Sequence, residues 1–217
     1  MSGLLVIGAG GHGRVVADAA EESAAWNRIA FLDDRFPEVE DSGGWPVVGV
    51  ATPSERWLSE FPAVIVAVGD NRIRLQLARR FAKLGYKVPN VVHPTAYVGR
   101  RVEIGAGSVL LAQSAINVGA RVGEACIVNT AAVIEHDCVL GDGVHVSPGA
   151  ALAGAVDIGD CAWVGIGASV KQEVRIGADA IVATGAAVVR DVAVGRTAGG
   201  VPARLLGRGE EGKRWDD

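Results

Sequence analysis

Between Val98 and Val194 every sixth position is aliphatic. Val98, Ile104, Leu110, Ile116, Val122, Val128, Ile134 and Leu140 open a series that runs without a miss through Val146, Leu152, Ile158, Val164, Val170, Ile176, Val182, Val188 and Val194. Four places after the hits stands a small residue or valine, as at Ser108, Ser114, Ala120, Cys126, Ala132, Cys138 and Ala150, and glycine often follows a hit directly, as at Gly99, Gly105, Gly141 and Gly177. An α-helix cannot use this cadence, because six steps of about 100° scatter the hits over three sides of the cylinder. One continuous strand fails too, since Gly, Asn, Asp or Pro marks a bend in most hexads. Short strands joined by tight corners satisfy the pattern. Three hexads make one triangular coil, the aliphatic and small positions both point inward, and each coil stacks on the next at about 4.8 Å, the spacing of paired strands.

The residues before the repeat follow a different grammar. Strands are predicted over 4–8, 29–32 and 64–68 and helices over about 13–22 and 72–84, which together make a small α/β unit. The chain thus divides into an α/β unit over 1–90, a repeat domain over 91–208 and a polar tail over 209–217. Gly8-Ala9-Gly10-Gly11-His12-Gly13 fits G-x-G-x-x-G between a strand and a helix, where backbone N–H groups and the helix N-terminus can hold a phosphate. Asp33 and Asp34 end the second strand, where a dinucleotide enzyme keeps its ribose-binding acid. The repeat takes over near residue 90, so no second mononucleotide half exists to hold a nicotinamide. A nucleotide-linked sugar, with one nucleoside and a diphosphate, suits half a fold better than NAD; a purely structural glycine turn is the bland alternative.

Composition narrows the class. The 217 residues carry a net charge of −4 with basic residues scattered along the chain, which argues against a nucleic-acid or membrane-surface partner. No apolar run approaches the roughly 18 residues of a membrane span, and the apolar start lacks the plan of a secretory signal, so a soluble cytoplasmic protein is expected. Three cysteines, Cys126, Cys138 and Cys161, lack the paired spacing of a zinc site and are expected as free thiols. Among the 217 residues are 30 glycines, about twice the usual share of roughly 7%, and eight of them directly follow an aliphatic hit of the repeat.

V-G-x-x-V-x-I-G-x-G-S-V, from Val98 to Val109, resembles the hexapeptide repeat of the left-handed parallel β-helix acyltransferases. The resemblance, not the repeat itself, implies the handedness. G-A-G-G-H-G-R-V-V, F-L-D-D, A-V-G-D-N-R-I-R, V-V-H-P-T-A, N-T-A-A-V-I-E-H-D-C and the terminal G-G-V-P-A-R together resemble the nucleotide-aminosugar N-acetyltransferases and sialic acid O-acetyltransferases. The fold implied is a Rossmann-like α/β half-domain followed by a left-handed parallel β-helix. In that family the N-terminal domain binds the nucleotide-sugar, so Gly10, Gly11, His12, Asp33, Asp34, Gly69 and Asn71 carry over as candidate substrate contacts.

Acetyl transfer from a thioester to an amine needs a base and one or two N–H groups aimed at the developing oxyanion. Of four histidines, His136 lies in Ile134-Glu135-His136-Asp137-Cys138, at a corner with carboxylates on both sides. The resemblance makes His136 the general base and Asp137 its support; Asp137 is one methylene shorter than the Glu of some members, and Glu135 is the reserve. One coil of eighteen residues beyond His136 stands Gly154, whose N–H is the expected oxyanion donor. His145, half a coil on, points from another side of the prism. The family pattern assigns the matching histidine to acetyl-CoA, which places the site between neighbouring subunits and implies a homotrimer. Ile166 and Thr184 match positions that line the coenzyme groove.

The leading expectation is an acetyl-CoA-dependent N-acetyltransferase acting on a nucleotide-linked 4-amino-deoxysugar, with UDP favoured by F-L-D-D and no metal required. O-acetylation of a sialic acid or related sugar is the first rival. A zinc lyase on the same fold is a second, although His93, His136 and His145 lack close ligand spacing. A noncatalytic nucleotide-sugar binder is a third. His93 beside Pro94 and Trp163 are expected to serve packing.

Overall fold

The structure is a computed structural model and describes residues 3–206. The N-terminal unit runs β1 (Gly3–Ile7), α1 (Gly11–Glu22), β2 (Arg28–Leu32), β3 (Asp41–Ser42), β4 (Trp45–Gly49), β5 (Ala63–Val66) and α2 (Asn71–Lys83). Its sheet has the order β3-β4-β2-β1-β5, parallel throughout except for the β3–β4 hairpin. β1 is buried along its whole length, as a central parallel strand covered on both faces must be. The hairpin and β4 lie beyond the sequence reading. Pro46 in Trp45-Pro46-Val47-Val48-Gly49 looks like a strand breaker, yet it sits opposite Asp41 near the sheet edge, where a missing donor is tolerated. The turn itself, Gly43-Gly44, has φ of 72° and 94°, the positive pair that a two-residue hairpin requires.

From Val91 onward the chain winds as a left-handed parallel β-helix of two-residue strands in three faces. Face one includes Val91–Val92, Val109–Leu110, Ile127–Val128, His145–Val146, Trp163–Val164 and Ile181–Val182. Face two includes Ala115–Ile116, Val133–Ile134, Ala151–Leu152 and Ser169–Val170; face three includes Arg121–Val122, Val139–Leu140 and Asp157–Ile158. Each strand pairs with the one eighteen residues on, as Ile116 with Ile134 and Ile134 with Leu152. The second residue of each strand is the aliphatic hit. These residues and the small column at Ala120, Cys126, Ala132, Cys138, Val144 and Ala150 form one continuous buried core.

The cadence breaks at its last step. Ile176 bridges Val192 and Val182 pairs with Ala198, each sixteen residues on, so the final coil is two residues short. Val194, a hit by counting, is therefore 68% exposed.

Three residues after the hits of the regular coils the backbone turns a corner with positive φ, as at Gln113, Gly119, Ala125, Ala131, Asp137, Gly143, Gly149, Ala155 and Cys161, between 51° and 75°. A non-glycine residue in this conformation costs on the order of 1 kcal/mol. The N–H of the corner residue reaches the previous coil, as Gly143 N–H to the Glu124 carbonyl at 2.7 Å. Among the described residues no backbone N–H reaches a corner residue's own carbonyl.

The two units share their cores. Val91, Val109, Leu111 and Ile127 of the β-helix pack with α1 and the inner sheet face, while Ala125 and Cys161 pack with Leu75, Ala78 and Phe81 of α2 and its surroundings. Ion pairs line the rim: Arg79 bonds Glu124 and Asp142 at 2.9 and 2.6 Å, and Arg72 bonds Asp179. All three cysteines are free thiols. Burial pushes the Cys126 thiol up to about 12 and raises Cys138, so neither supplies a thiolate near neutrality. No described helix is long and apolar enough to cross a membrane.

Candidate active site

The expected residues fall into two constellations on different sides of the prism. His136, Asp137 and Gly154 meet at the edge between faces two and three. Asp137 is the left-handed corner residue, φ 59°, and this turn brings its Oδ2 to 2.9 Å from His136 Nδ1. The carboxylate can only accept, so Nδ1 carries the proton and Nε2 is left as the basic nitrogen. Asp137 therefore reaches the imidazole despite its shorter side chain, and Glu135 is not needed as a substitute. The ring leans on Gly154 of the next coil: a Cβ there would lie 2.5 Å from Nε2 and 2.6 Å from Cε1. The Gly154 carbonyl accepts from Glu173 N–H, whereas its own N–H has no protein acceptor among the described residues. Base and free N–H thus lie side by side, and the His136 side chain is 58% exposed on the single chain.

The second constellation lies where the N-terminal unit meets face one. α1 begins at Gly11, two residues before the sequence predicts, because Gly10 takes an extended conformation at the N-cap with no side chain closing the end. The first-turn N–H groups are thereby left for an anion. Gly8 has φ 100°, a Cβ on Gly13 would collide with the Gly8 carbonyl, and Cβ atoms on Gly10 or Gly11 would meet nothing within 4 Å. The first and last glycines hold strand to helix, and the middle two face open space.

Asp33 is already committed. Its carboxylate accepts from Ala9 N–H at 2.7 Å and from Arg35 at 2.7 and 3.1 Å, and Arg35 holds its pKa down near 2. It fixes the glycine loop, leaving the exposed Asp34, which accepts from Ala51 N–H at 3.1 Å, as the acid with open coordination.

His12 packs against His145 across the junction, ring centroids 6.5 Å apart, and His145 lies parallel to Trp163 at 5.5 Å. Asn129 Oδ1 accepts from Thr130 N–H, which pins its amide so that Nδ2 donates to His145 Nε2 at 3.2 Å. His145 Nδ1 therefore carries a proton, and it is buried without a partner, as is His12 Nε2. Burial, with the Arg74 charge nearby, lowers His12 to about 4 and His145 to about 3, so both are neutral at pH 7. A cleft of about 430 Å³ opens here, lined by Gly69, Asn71, Arg72, His145, Trp163 and Ile181 among others. Trp163, expected as packing, is a cleft wall whose Nε1 donates to Ser147 at 2.7 Å. Ile166 and Thr184 are exposed along the edge between faces one and two, three residues beyond the cleft-lining Trp163 and Ile181. His93 accepts from Thr95 in its own loop. Among the described residues no three His, Cys, Asp or Glu side chains converge as metal ligands do.

Arg74 was outside the expected set. It is 1% exposed with no carboxylate in hydrogen-bond contact, and all five of its N–H groups end on neutral oxygens. Only its place in N-R-I-R, three residues after Asn71 and one turn along the helix, hinted at the partnership.

Comparison with known proteins accords with this geometry. Residues 3–81 match the PglD N-terminal domain family. UDP-N-acetylbacillosamine N-acetyltransferase of Bacillus subtilis is 39% identical over 113 residues, 52% of each chain, so the match spans about half the length of that curated relative. The acetyltransferase domain of PglB from Neisseria gonorrhoeae, also solved in complex with acetyl coenzyme A, is 41% identical with a TM-score of 0.91, covering 95% of this chain and 100% of that one. PerB of Caulobacter crescentus, solved with CoA and GDP-perosamine, is 39% identical with a TM-score of 0.88, covering 95% and 98%. With this likeness over nearly the whole length of both chains, a half-Rossmann unit and a left-handed β-helix bearing the histidine edge, the chain belongs to the hexapeptide-repeat family of nucleotide-aminosugar N-acetyltransferases.

Proposed function

We propose that this protein is an acetyl-CoA-dependent N-acetyltransferase that acetylates the amine of a nucleotide-linked 4-amino-deoxysugar, UDP-linked by preference, in the cytoplasm. The observation that carries the reading is the His136 edge, where a basic Nε2 lies beside a glycine N–H that no protein group uses. In the reaction the sugar amine attacks the thioester carbonyl and His136 Nε2 takes the amine proton. Gly154 N–H donates to the oxyanion, and Asp137 holds the tautomer and favours the transient imidazolium. Collapse breaks the carbon–sulfur bond, and the imidazolium returns its proton to the departing CoA thiolate.

Substrate and coenzyme come from elsewhere on the surface. The open first turn of α1 with Gly10 and Gly11 takes the diphosphate, Asp34 the nucleoside side, and the Gly69 cleft the sugar. His145, in the wall of that cleft, serves acetyl-CoA, and Ile166 and Thr184 line the coenzyme groove. His136 and His145 stand on different sides of one prism, so the site is composed of two neighbouring subunits of a homotrimer. The names of the relatives, which act on UDP- and GDP-linked aminosugars, support the acceptor class.

The test is mass-resolved acetyl transfer to UDP-, GDP- and dTDP-linked 4-aminosugars and to hydroxyl acceptors. An amide product from the UDP-linked amine is expected. An ester product, or no transfer to any amine, overturns the proposal.

A further inference from the structure

The corner carbonyls that the β-helix ladder leaves out are solvated on a bare edge. Between faces three and one they are not, because α2 lies over them. There Arg74 Nε donates to the Ala125 carbonyl at 2.8 Å and Nη2 to the Gly143 carbonyl at 2.8 Å, on successive coils. The next corner, Cys161, accepts from Asn71 Nδ2 at 3.0 Å, with Ala162 at 3.2 Å. Three stacked corners are thus served by two side chains of one helix. The two are themselves joined, Arg74 Nη2 to Asn71 Oδ1 at 2.8 Å, and Arg74 Nη1 holds the carbonyls of Val68 and Gly69 at 3.0 and 3.4 Å. The carboxamide of Asn71, which also borders the cleft, is engaged at both its nitrogen and its oxygen by this arrangement.

We infer that Arg74 is a positioning residue: its planar fork, with Asn71, registers the Gly69–Asn71 loop of the N-terminal unit against three coils of the β-helix and so sets the nucleotide-sugar cleft. A lysine cannot replace it, since a single nitrogen cannot reach corners on two coils and the Val68 carbonyl together. The inference about the cleft rests on the function proposed above; the fastening itself does not.

The experiment compares the full-length protein with Arg74→Lys and with the less buried Asn71→Ala. Folding is checked by melting. The expected result is a rise of about tenfold in KM for the UDP-linked aminosugar with the KM for acetyl-CoA within about twofold, the signature of a misplaced acceptor. Loss of stability alone leaves both KM values unchanged in the folded protein, and that outcome, or an equal rise in both, overturns the assignment. Amide exchange over residues 67–75 is measured in parallel and should quicken by at least about tenfold in both variants. Should Arg74→Lys fail to fold, Asn71→Ala decides by the same two readings. Were the parent protein to transfer no acetyl group, the proposed function would fall, and unchanged exchange in these variants would separately overturn the fastening.

Discussion

Substituting Gly154 by alanine tests the histidine edge with a single methyl group. The new carbon would stand 2.5 Å from His136 Nε2, 2.6 Å from Cε1 and 3.2 Å from Cδ2. Carbon and nitrogen in ordinary contact lie about 3.5 Å apart, so the ring must retreat by about 1 Å. The imidazole is more than half exposed and can swing aside, so the fold loses little and the melting temperature should move by no more than about 2 °C. Catalysis has no such slack. A displacement of about 1 Å at the reacting nitrogen costs on the order of 10²-fold in rate, about 2.7 kcal/mol of barrier. Thiol release from acetyl-CoA in the presence of the aminosugar gives kcat directly. In a His136→Ala background the same methyl has no ring to displace, and its effect should shrink to a few-fold. A folded Gly154→Ala protein with kcat within twofold of the parent would refute the assignment of this edge as the reacting centre.

His136→Ala should lower kcat by at least about 10² with melting unchanged, the scale of losing a general base; full turnover would remove His136 from the mechanism. Asp137→Asn replaces an acceptor with an amide that can present a donor to Nδ1, so kcat should fall at least tenfold while both KM values hold, measurable by steady-state kinetics. His12 and His145 have folded pKa values of about 4 and 3, below the unfolded value of about 6.5. The unfolded chain therefore binds more protons at mildly acid pH. Stability contributed by the neutral imidazoles is whole above about pH 6.5 and is lost as pH falls toward 4, by up to about 1.4 kcal/mol per pH unit for each ring. Urea midpoints across that range should show this slope, and His145→Gln should reduce it; an unchanged slope would contradict the burial argument.

The six-residue cadence was enough to place the β-helix strands, because each hit is the inward residue of a two-residue strand and nothing else in the chain has that period. Its failure at Val194 has a local cause: the last coil is two residues short, and counting cannot register a change of coil length without pairing partners. The histidine edge was legible for the same reason as the strands, since eighteen residues per coil stacks Gly154 on His136. The seam between the units was not. Arg74 sits on an otherwise ordinary amphipathic helix, and its importance comes from corner carbonyls contributed by Ala125 and Gly143, which are 51 and 69 residues away. Asp33 misled in the opposite sense. Its place after the second strand suits a ribose contact, but Arg35, two residues on, and the loop N–H of Ala9 claim both oxygens.

That the reacting site is shared between subunits can be read from complementation. His136→Ala and His145→Ala proteins, each inactive alone, are unfolded together, refolded as a mixture and assayed for acetyl transfer. If one subunit supplies His136 and its neighbour His145, random mixed trimers carry both imidazoles at about a quarter of their sites, and about that fraction of the parent activity should return. A mixture no more active than either variant alone would place both histidines' work within one chain and contradict the account.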